Sequence, residues 1–126
     1  MGRLRILLAD EHALLMDVFR KLLEPEFEVV GTVSDGQTLL AGALQWQPDL
    51  IVADIGLPLL QGTDAGRKFR KLLPKTRFLV VAMNDDASSA ADAIREWAAG
   101  FLLRQTGGPQ LVYAIQELIT GKLLVT

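Results

Sequence analysis

The stretch Asp49-Leu50-Ile51-Val52-Ala53-Asp54 decides the fold, because it places four consecutive apolar residues between two aspartates. A short run of this kind is typical of a strand that is buried on both faces of a parallel sheet. Asp54 ends the run and is expected at the carboxyl edge of the sheet, where ligands bind in open α/β folds. Pro58 and Gly62 then predict a loop. An aspartate that only ends the strand and caps the next helix is the structural alternative.

Four further apolar runs predict additional strands of the same sheet. They lie at residues 4–9, 27–33, 78–82 and 101–103. The segments that follow the strands carry apolar residues at helical spacing and predict five helices, including one over residues 88–99. Asp35 is predicted to cap the second helix, and Trp46 is interpreted as a packing residue. The third helix is predicted to bury Ala65, Phe69, Leu72 and Leu73. Strands that alternate with helices form βαβ crossovers. The pattern therefore predicts one α/β domain, with a parallel five-stranded sheet and helices on both faces.

Composition narrows the class of protein. The chain has 126 residues, of which 50% are hydrophobic, enough for one compact domain with one core. Its net charge of −2 is too small to indicate a membrane or nucleic-acid partner. Cysteine is absent, which excludes disulfides, and no apolar run is long enough for a signal peptide. We predict a soluble, cytoplasmic domain over residues 1–121, with residues 122–126 beginning a linker or forming a tail.

Acidic residues follow two of the predicted strands. Asp10 and Glu11 come after the first strand, and Asp54 ends the third. If these strands are neighbours, three carboxylates that are ordinarily charged at neutral pH meet at one edge. Each pair at about 4 Å repels by roughly 1 to 4 kcal/mol, which a hard divalent cation such as Mg²⁺ would relieve. Asp54 is then a candidate nucleophile toward phosphorus. The alternative to a shared cation site is that the two strand ends lie apart and are each solvated. His12 is interpreted as a loop residue.

Four stretches together resemble a known family, in order and at the right spacing. They are Asp10-Glu11-His12-Ala13-Leu14-Leu15, Asp54-Ile-Gly-Leu-Pro-Leu-Leu-Gln-Gly62, Met83-Asn84-Asp85-Asp86 and Gly100-Phe-Leu-Leu-Arg-Gln-Thr106. The chain is similar to the receiver domain of two-component response regulators, and in particular to receivers that precede a LuxR-type helix-turn-helix domain. The resemblance implies a flavodoxin-like, CheY-like fold of five βα units with strand order 2-1-3-4-5.

The resemblance also implies roles for individual residues. Asp54 would be the phosphoacceptor, taking a phosphoryl group from a histidine kinase. Asp10, Glu11, Asp54 and the backbone carbonyl of Gly56 would hold Mg²⁺. The domain would not be an enzyme beyond phosphorylating itself from a donor and slowly losing the phosphoryl group. It would regulate an output domain, expected to be a DNA-binding helix-turn-helix domain.

Other partners are predicted from single features of the sequence. The apolar stripe of the last predicted helix, over residues 108–120, is predicted to be an interaction face for a homodimer or an output domain. The basic run over residues 67–77 is interpreted as a solvated helix face, because Phe69 is the one aromatic residue available there for stacking on bases. We therefore expect no direct contact of this domain with nucleic acid.

Two positions depart from the family pattern. Ala82 stands where the family places Thr or Ser to bond the phosphoryl oxygen, and Arg104 stands where it places Lys. Phe101 occupies the position of the switch aromatic and has no hydroxyl group. Arg104 keeps the positive charge, but a planar guanidinium does not replace an ammonium group in geometry.

These departures leave two readings open. The chain is either a phosphorylatable receiver or a degenerate receiver that serves as a phosphorylation-independent interaction or dimerisation module. A flavin-binding protein of similar fold is discarded, because Asp10 and Glu11 would repel the cofactor phosphate.

Overall fold

The apolar runs form strands in the computed structural model, which describes residues 3–54, 63–82, 100–103, 108–119 and 124–125. The strands are β1 (Arg5–Ala9), β2 (Glu28–Val33), β3 (Leu50–Asp54), β4 (Arg77–Ala82), β5 (Gly100–Leu103) and β6 (Leu124–Val125). The helices are α1 (Ala13–Leu23), α2 (Gly36–Trp46), α3 (Thr63–Leu72) and the C-terminal helix (Gly108–Ile119). The helix predicted at residues 88–99 and the loop predicted around Pro58 and Gly62 lie outside the described residues.

The strands form one parallel sheet in the order β2-β1-β3-β4-β5-β6. The predicted order of the first four strands is confirmed, and so is the flavodoxin-like fold. The described part of the sheet has six strands where five were predicted, because Gly100 and Phe101 of β5 pair with β6. A two-residue strand carries too little periodicity to be predicted from sequence. The boundary of the domain near residue 121 stays a prediction.

Both faces of the sheet are covered, and successive residues of each central strand alternate between two core clusters. Leu7 and Ala9 of β1 belong to a cluster with residues of α2 and α3. Ile6 and Leu8 belong to a cluster with residues of α1 and the C-terminal helix. This arrangement explains the unbroken apolar runs of β1 and β3, since every apolar side chain of these strands belongs to one core cluster or the other.

The ends of the helices follow local chemistry. Asp35 precedes α2 as predicted and accepts hydrogen bonds from the Thr38 backbone N–H at 2.8 Å and the Thr38 hydroxyl at 3.0 Å. These hydrogen bonds, of which the one from the Thr38 backbone has the largest effect, lower the pKa of Asp35 below its ordinary value.

At the other end of α2, the ring of Trp46 lies very close to Gly31 and Gly42. A Cβ added to Gly31 would come within 2.6 Å of the ring, and one added to Gly42 within 2.7 Å. Trp46 therefore joins α2 to β2, in agreement with its predicted packing role.

The apolar stripe of the C-terminal helix lies in the protein's own core. Leu111, Ile115 and Leu118 are at most 2% exposed and belong to the cluster that includes α1. These three residues are therefore covered by the protein itself and not offered to a partner, because a helix that crosses over a sheet turns its apolar face inward. Its outer side carries Tyr113, which is 53% exposed.

The prediction for α3 is confirmed in part. Phe69 and Leu73 are buried as predicted, and the rings of Phe69 and Phe78 meet edge to face with their centroids 5.6 Å apart. Leu72 was also predicted to be buried, but it is 45% exposed because it lies at the solvent-facing border of the apolar face of α3. No helix in the described part of the chain is long and apolar enough to cross a bilayer.

Candidate functional site

Two buried carboxylates meet at the carboxyl edge of the sheet. β1 and β3 are adjacent and parallel, with Ala9 opposite Ala53, so the next residue along each chain segment lies at the same level of the carboxyl edge. Those residues are Asp10 and Asp54, which are 4% and 5% exposed. They are the two buried charged residues within the described ranges. The register of two neighbouring strands therefore creates the site.

His12 joins this pair. Its Nδ1 lies 2.6 Å from Asp10 Oδ1, and its backbone N–H donates to the same oxygen at 2.8 Å. One ligand atom from each of Asp10, His12 and Asp54 lies within 4.8 Å of the other two. We call these three residues the edge cluster. His12 is the N-cap residue of α1, so the start of that helix holds it over the sheet edge.

The floor of the site is apolar. A cavity of about 10 Å³ lies beneath the carboxylates, next to Met16, Phe19 and Val81. This volume is close to the minimum for one water molecule. Charges above such a floor interact more strongly than charges in bulk water, because the surrounding medium is less polarisable. A cation or a phosphoryl group at this edge would therefore meet a strong local field.

The remaining predicted residues fall in different places. Glu11 is exposed, and its carboxylate is not a member of the edge cluster, so its role as a metal ligand stays a prediction. Ala82 ends β4 and pairs with Leu103. Phe101 lies in β5, where its backbone pairs with both Val80 and Val125. Gly56, Arg104 and the stretch 83–86 lie outside the described residues.

His12 was predicted to be a loop residue and not a member of the site, although its place in the sequence gave a signal. It is the one histidine in the chain and lies two residues after Asp10. Spacing alone does not show on which side of the turn an imidazole ring lies.

Comparison with known proteins decides the family. A sequence model of the response regulator receiver domain matches residues 6–116 of the chain. The chain belongs to this receiver domain family. The match is to a signalling family, and it includes both Asp10 and Asp54. The resemblance inferred from the four stretches is therefore confirmed.

Relatives of the receiver domain are regulators of transcription. This chain is 30% identical over 122 residues to the transcriptional regulatory protein DegU of Brevibacillus brevis. The match covers 95% of this chain and 52% of DegU. The chain is 33% identical over 121 residues to the transcriptional regulatory protein MctR of Rhizobium johnstonii. The match covers 94% of this chain and 56% of MctR. The chain thus spans about half the length of these curated relatives.

Solved structures agree with the fold. A two-component response regulator of the LuxR family from Aurantimonas sp. SI85-9A1 is 27% identical, with a TM-score of 0.86 over 98% of this chain and 89% of that one. The isolated receiver domain of RcsB from Salmonella enterica serovar Typhimurium, solved with the phosphomimetic BeF₃⁻, is 20% identical. Its TM-score is 0.85, over 99% of this chain and 94% of that one. At that identity the likeness to RcsB shows the fold alone.

Proposed function

We propose that Asp54 accepts a phosphoryl group from a histidine kinase and that this modification regulates an output domain or partner. The observation that supports it is the buried Asp54 carboxylate, which lies at the carboxyl end of β3 beside Asp10. An Asp54 oxygen attacks phosphorus while the bond from phosphorus to the kinase histidine breaks. The histidine nitrogen leaves with the bonding electrons, and Asp54 becomes an acyl phosphate. Slow hydrolysis of this bond by water resets the domain.

The donor set of the site fits Mg²⁺. Buried carboxylate oxygens are the ligands that this hard cation prefers, and Asp10 and Asp54 supply them within one cluster. Glu11 and the backbone carbonyl of Gly56 are the further ligands that the family pattern suggests. When bound, Mg²⁺ neutralises charge on the carboxylates and on the phosphoryl oxygens. Asp10 holds the cation, and Asp54 both holds it and supplies the nucleophilic oxygen.

The regulated partner is proposed from the relatives. They carry roughly as much chain again beyond the matched part, and their names describe regulators of transcription. We propose a DNA-binding helix-turn-helix output domain in the full-length protein, which would act in the cytoplasm. RcsB, which shares the fold, has been solved as two dimers bound to two parallel DNAs. Homodimerisation of this chain stays a prediction.

A second candidate function rests on Ala82. This residue ends β4 one position beyond Val81, which pairs with Asp54 in the sheet. A methyl group there offers no hydroxyl to bond a phosphoryl oxygen. A receiver that keeps its fold but not this bond would serve as an interaction module, independent of phosphorylation.

Phosphorylation by a small-molecule donor separates the two candidates. The chain is incubated with acetyl phosphate and Mg²⁺, and its intact mass is measured. If Asp54 is the phosphoacceptor, the wild type should gain one phosphoryl group and Asp54→Asn should gain none. Asp17→Asn is the matched control, because it removes an exposed carboxylate of α1 and should leave the gain in place. A wild type that gains no mass would favour the interaction module, and a gain that persists in Asp54→Asn would refute the assignment of Asp54.

A further inference from the structure

We infer that His12 is a metal ligand of this receiver domain and that it lets the site select transition-metal dications over Mg²⁺. The inference rests on the cation site proposed above, and it adds a ligand of a different chemical class. Carboxylate oxygens suit Mg²⁺, Ca²⁺ and Mn²⁺, whereas imidazole nitrogen suits Zn²⁺, Ni²⁺ and Cu²⁺. A site made of two carboxylates and one imidazole therefore gains affinity mainly for the second group of metals.

The backbone of His12 is held in place from both sides. Its N–H donates to Asp10 Oδ1 at 2.8 Å, and its carbonyl accepts from the Met16 N–H at 3.1 Å as α1 begins. The cap position thus brings the imidazole to the sheet edge before any metal binds. The side chain itself is 55% exposed, so the ring can turn by a small amount and an ion can reach it from water.

The contact between His12 and Asp10 is of the kind that a metal ion can replace. Nδ1 and Oδ1 are 2.6 Å apart, so a proton lies between them. A metal bound at about 2.0 to 2.2 Å from each atom needs a separation of about 3 Å in an octahedral site and about 3.4 Å in a tetrahedral site. The two atoms therefore need to move apart by about 0.4 to 0.8 Å. Asp54 completes the set, since its ligand atom lies within 4.8 Å of the other two.

A purely structural role for His12 predicts a different result. If the imidazole only orients the Asp10 carboxylate, its removal should weaken every cation that Asp10 binds to a similar degree. If the imidazole is a ligand, its removal should weaken nitrogen-preferring metals far more than Mg²⁺. The ratio of the two dissociation constants therefore distinguishes the roles, whereas either constant alone does not.

The experiment uses the chain without an affinity tag, so that His12 is its one imidazole. Ni²⁺ and Mg²⁺ are titrated separately into the wild type, His12→Ala and His12→Gln, and each Kd is measured by calorimetry. We expect the selectivity for Ni²⁺ over Mg²⁺ to fall by about 10-fold or more in both variants, on the scale seen when groups that support a bound metal are removed. Circular dichroism confirms that each variant is folded.

A second measurement on the wild type does not depend on any variant. The ¹⁵N resonances of the imidazole are recorded with Zn²⁺ and with Mg²⁺. We expect a larger shift on saturation with Zn²⁺, because Mg²⁺ on Asp10 would change only the hydrogen bond of Nδ1. Imidazole resonances that shift no more with Zn²⁺ than with Mg²⁺, or an equal loss of affinity for Ni²⁺ and Mg²⁺ in both variants, would overturn the inference. Phosphorylation of the wild type with Mg²⁺ tests the proposed function separately, so failure of one proposal can be told from failure of the other.

Discussion

β3 begins just after one aspartate and ends at another, and the two have different surroundings. Asp49 precedes the strand, is exposed, and accepts the Arg5 backbone N–H on Oδ2 at 2.9 Å. Asp54 ends the strand, is 5% exposed, and lies beside Asp10 and His12. The first carboxylate links the amino ends of two strands, whereas the second belongs to a group of potential metal ligands. Position along a parallel strand therefore decides whether an aspartate links two strands or lies at the edge where ligands bind in folds of this class.

The physical cause of the difference is burial and neighbouring charge. An exposed carboxylate with one backbone donor is well solvated and can be removed at modest cost. A buried carboxylate beside a second one is costly unless hydrogen-bond donors, a cation or a proton offset its charge. The carboxylate at the amino edge of the sheet is thus solvated, whereas the two at the carboxyl edge are buried side by side.

The largest difference between the two ends of β3 is expected in the response to beryllofluoride, which mimics a phosphoryl group. Asp54→Asn should abolish the amide-shift changes that beryllofluoride and Mg²⁺ cause in the wild type, because no carboxylate remains to bind the mimic. Asp49→Asn should keep them, because its side chain lies at the opposite end of β3. An equal response in the two variants would show that the two ends of the strand do not differ as described.

Ala82→Thr should extend that response beyond the immediate site. A hydrogen bond to a charged group contributes about 1.5 to 3 kcal/mol, which is as large as a typical allosteric coupling. The wild type should show shifts confined to the neighbourhoods of Asp10 and Asp54, whereas the variant should show them through residues 83–99 and at Phe101. Ala82→Val is the matched control, since it adds similar bulk without a hydroxyl. A wild type whose shifts already reach Phe101 would contradict the prediction.

The stability of the fold without metal should change in opposite directions at the two ends of β3. With a chelator present, Asp54→Asn should raise the free energy of unfolding by about 1 to 2 kcal/mol, because it removes repulsion from Asp10. Asp49→Ala should lower it by about 1 kcal/mol, because the Arg5 N–H loses its acceptor. Urea denaturation measures both changes. Loss of stability in Asp54→Asn would mean that neighbouring donors already compensate the charge.

The smallest effect concerns a third aspartate near the carboxyl edge. Asp35 follows β2, but it is exposed and caps α2 through Thr38, and these hydrogen bonds lower its pKa. A lowered folded-state pKa contributes stability above the ordinary carboxyl range, and this contribution is lost as the pH falls through the folded-state value. Asp35→Ala should therefore unfold at lower urea than the wild type at neutral pH, with the difference shrinking in strong acid. A difference that is constant with pH would contradict this origin.

Much of the fold could be predicted from local pattern alone. The apolar run before Asp54 indicated a strand buried on both faces, and the helix-capping role of Asp35 followed from its place before an amphipathic segment. The meeting of Asp10 with Asp54 was also predictable, since parallel strands end at the same edge and each residue follows an apolar run. The strand and the cap depend on residues close together in the chain, where steric and hydrogen-bonding preferences are strong. The meeting of the two aspartates follows from the general geometry of parallel sheets.

Other features were decided only by the folded structure, because they depend on the path of the backbone through a turn or on residues far apart in the chain. Asp10 and Glu11 are adjacent acids, yet one is buried and the other exposed, and the turn from β1 into α1 decides which. That same turn brings His12 to the carboxylate. The space above Gly31 is filled by Trp46, which no local pattern connects to it. Local sequence determined the strands and the chemical groups at their ends, and long-range packing determined which of those groups became neighbours.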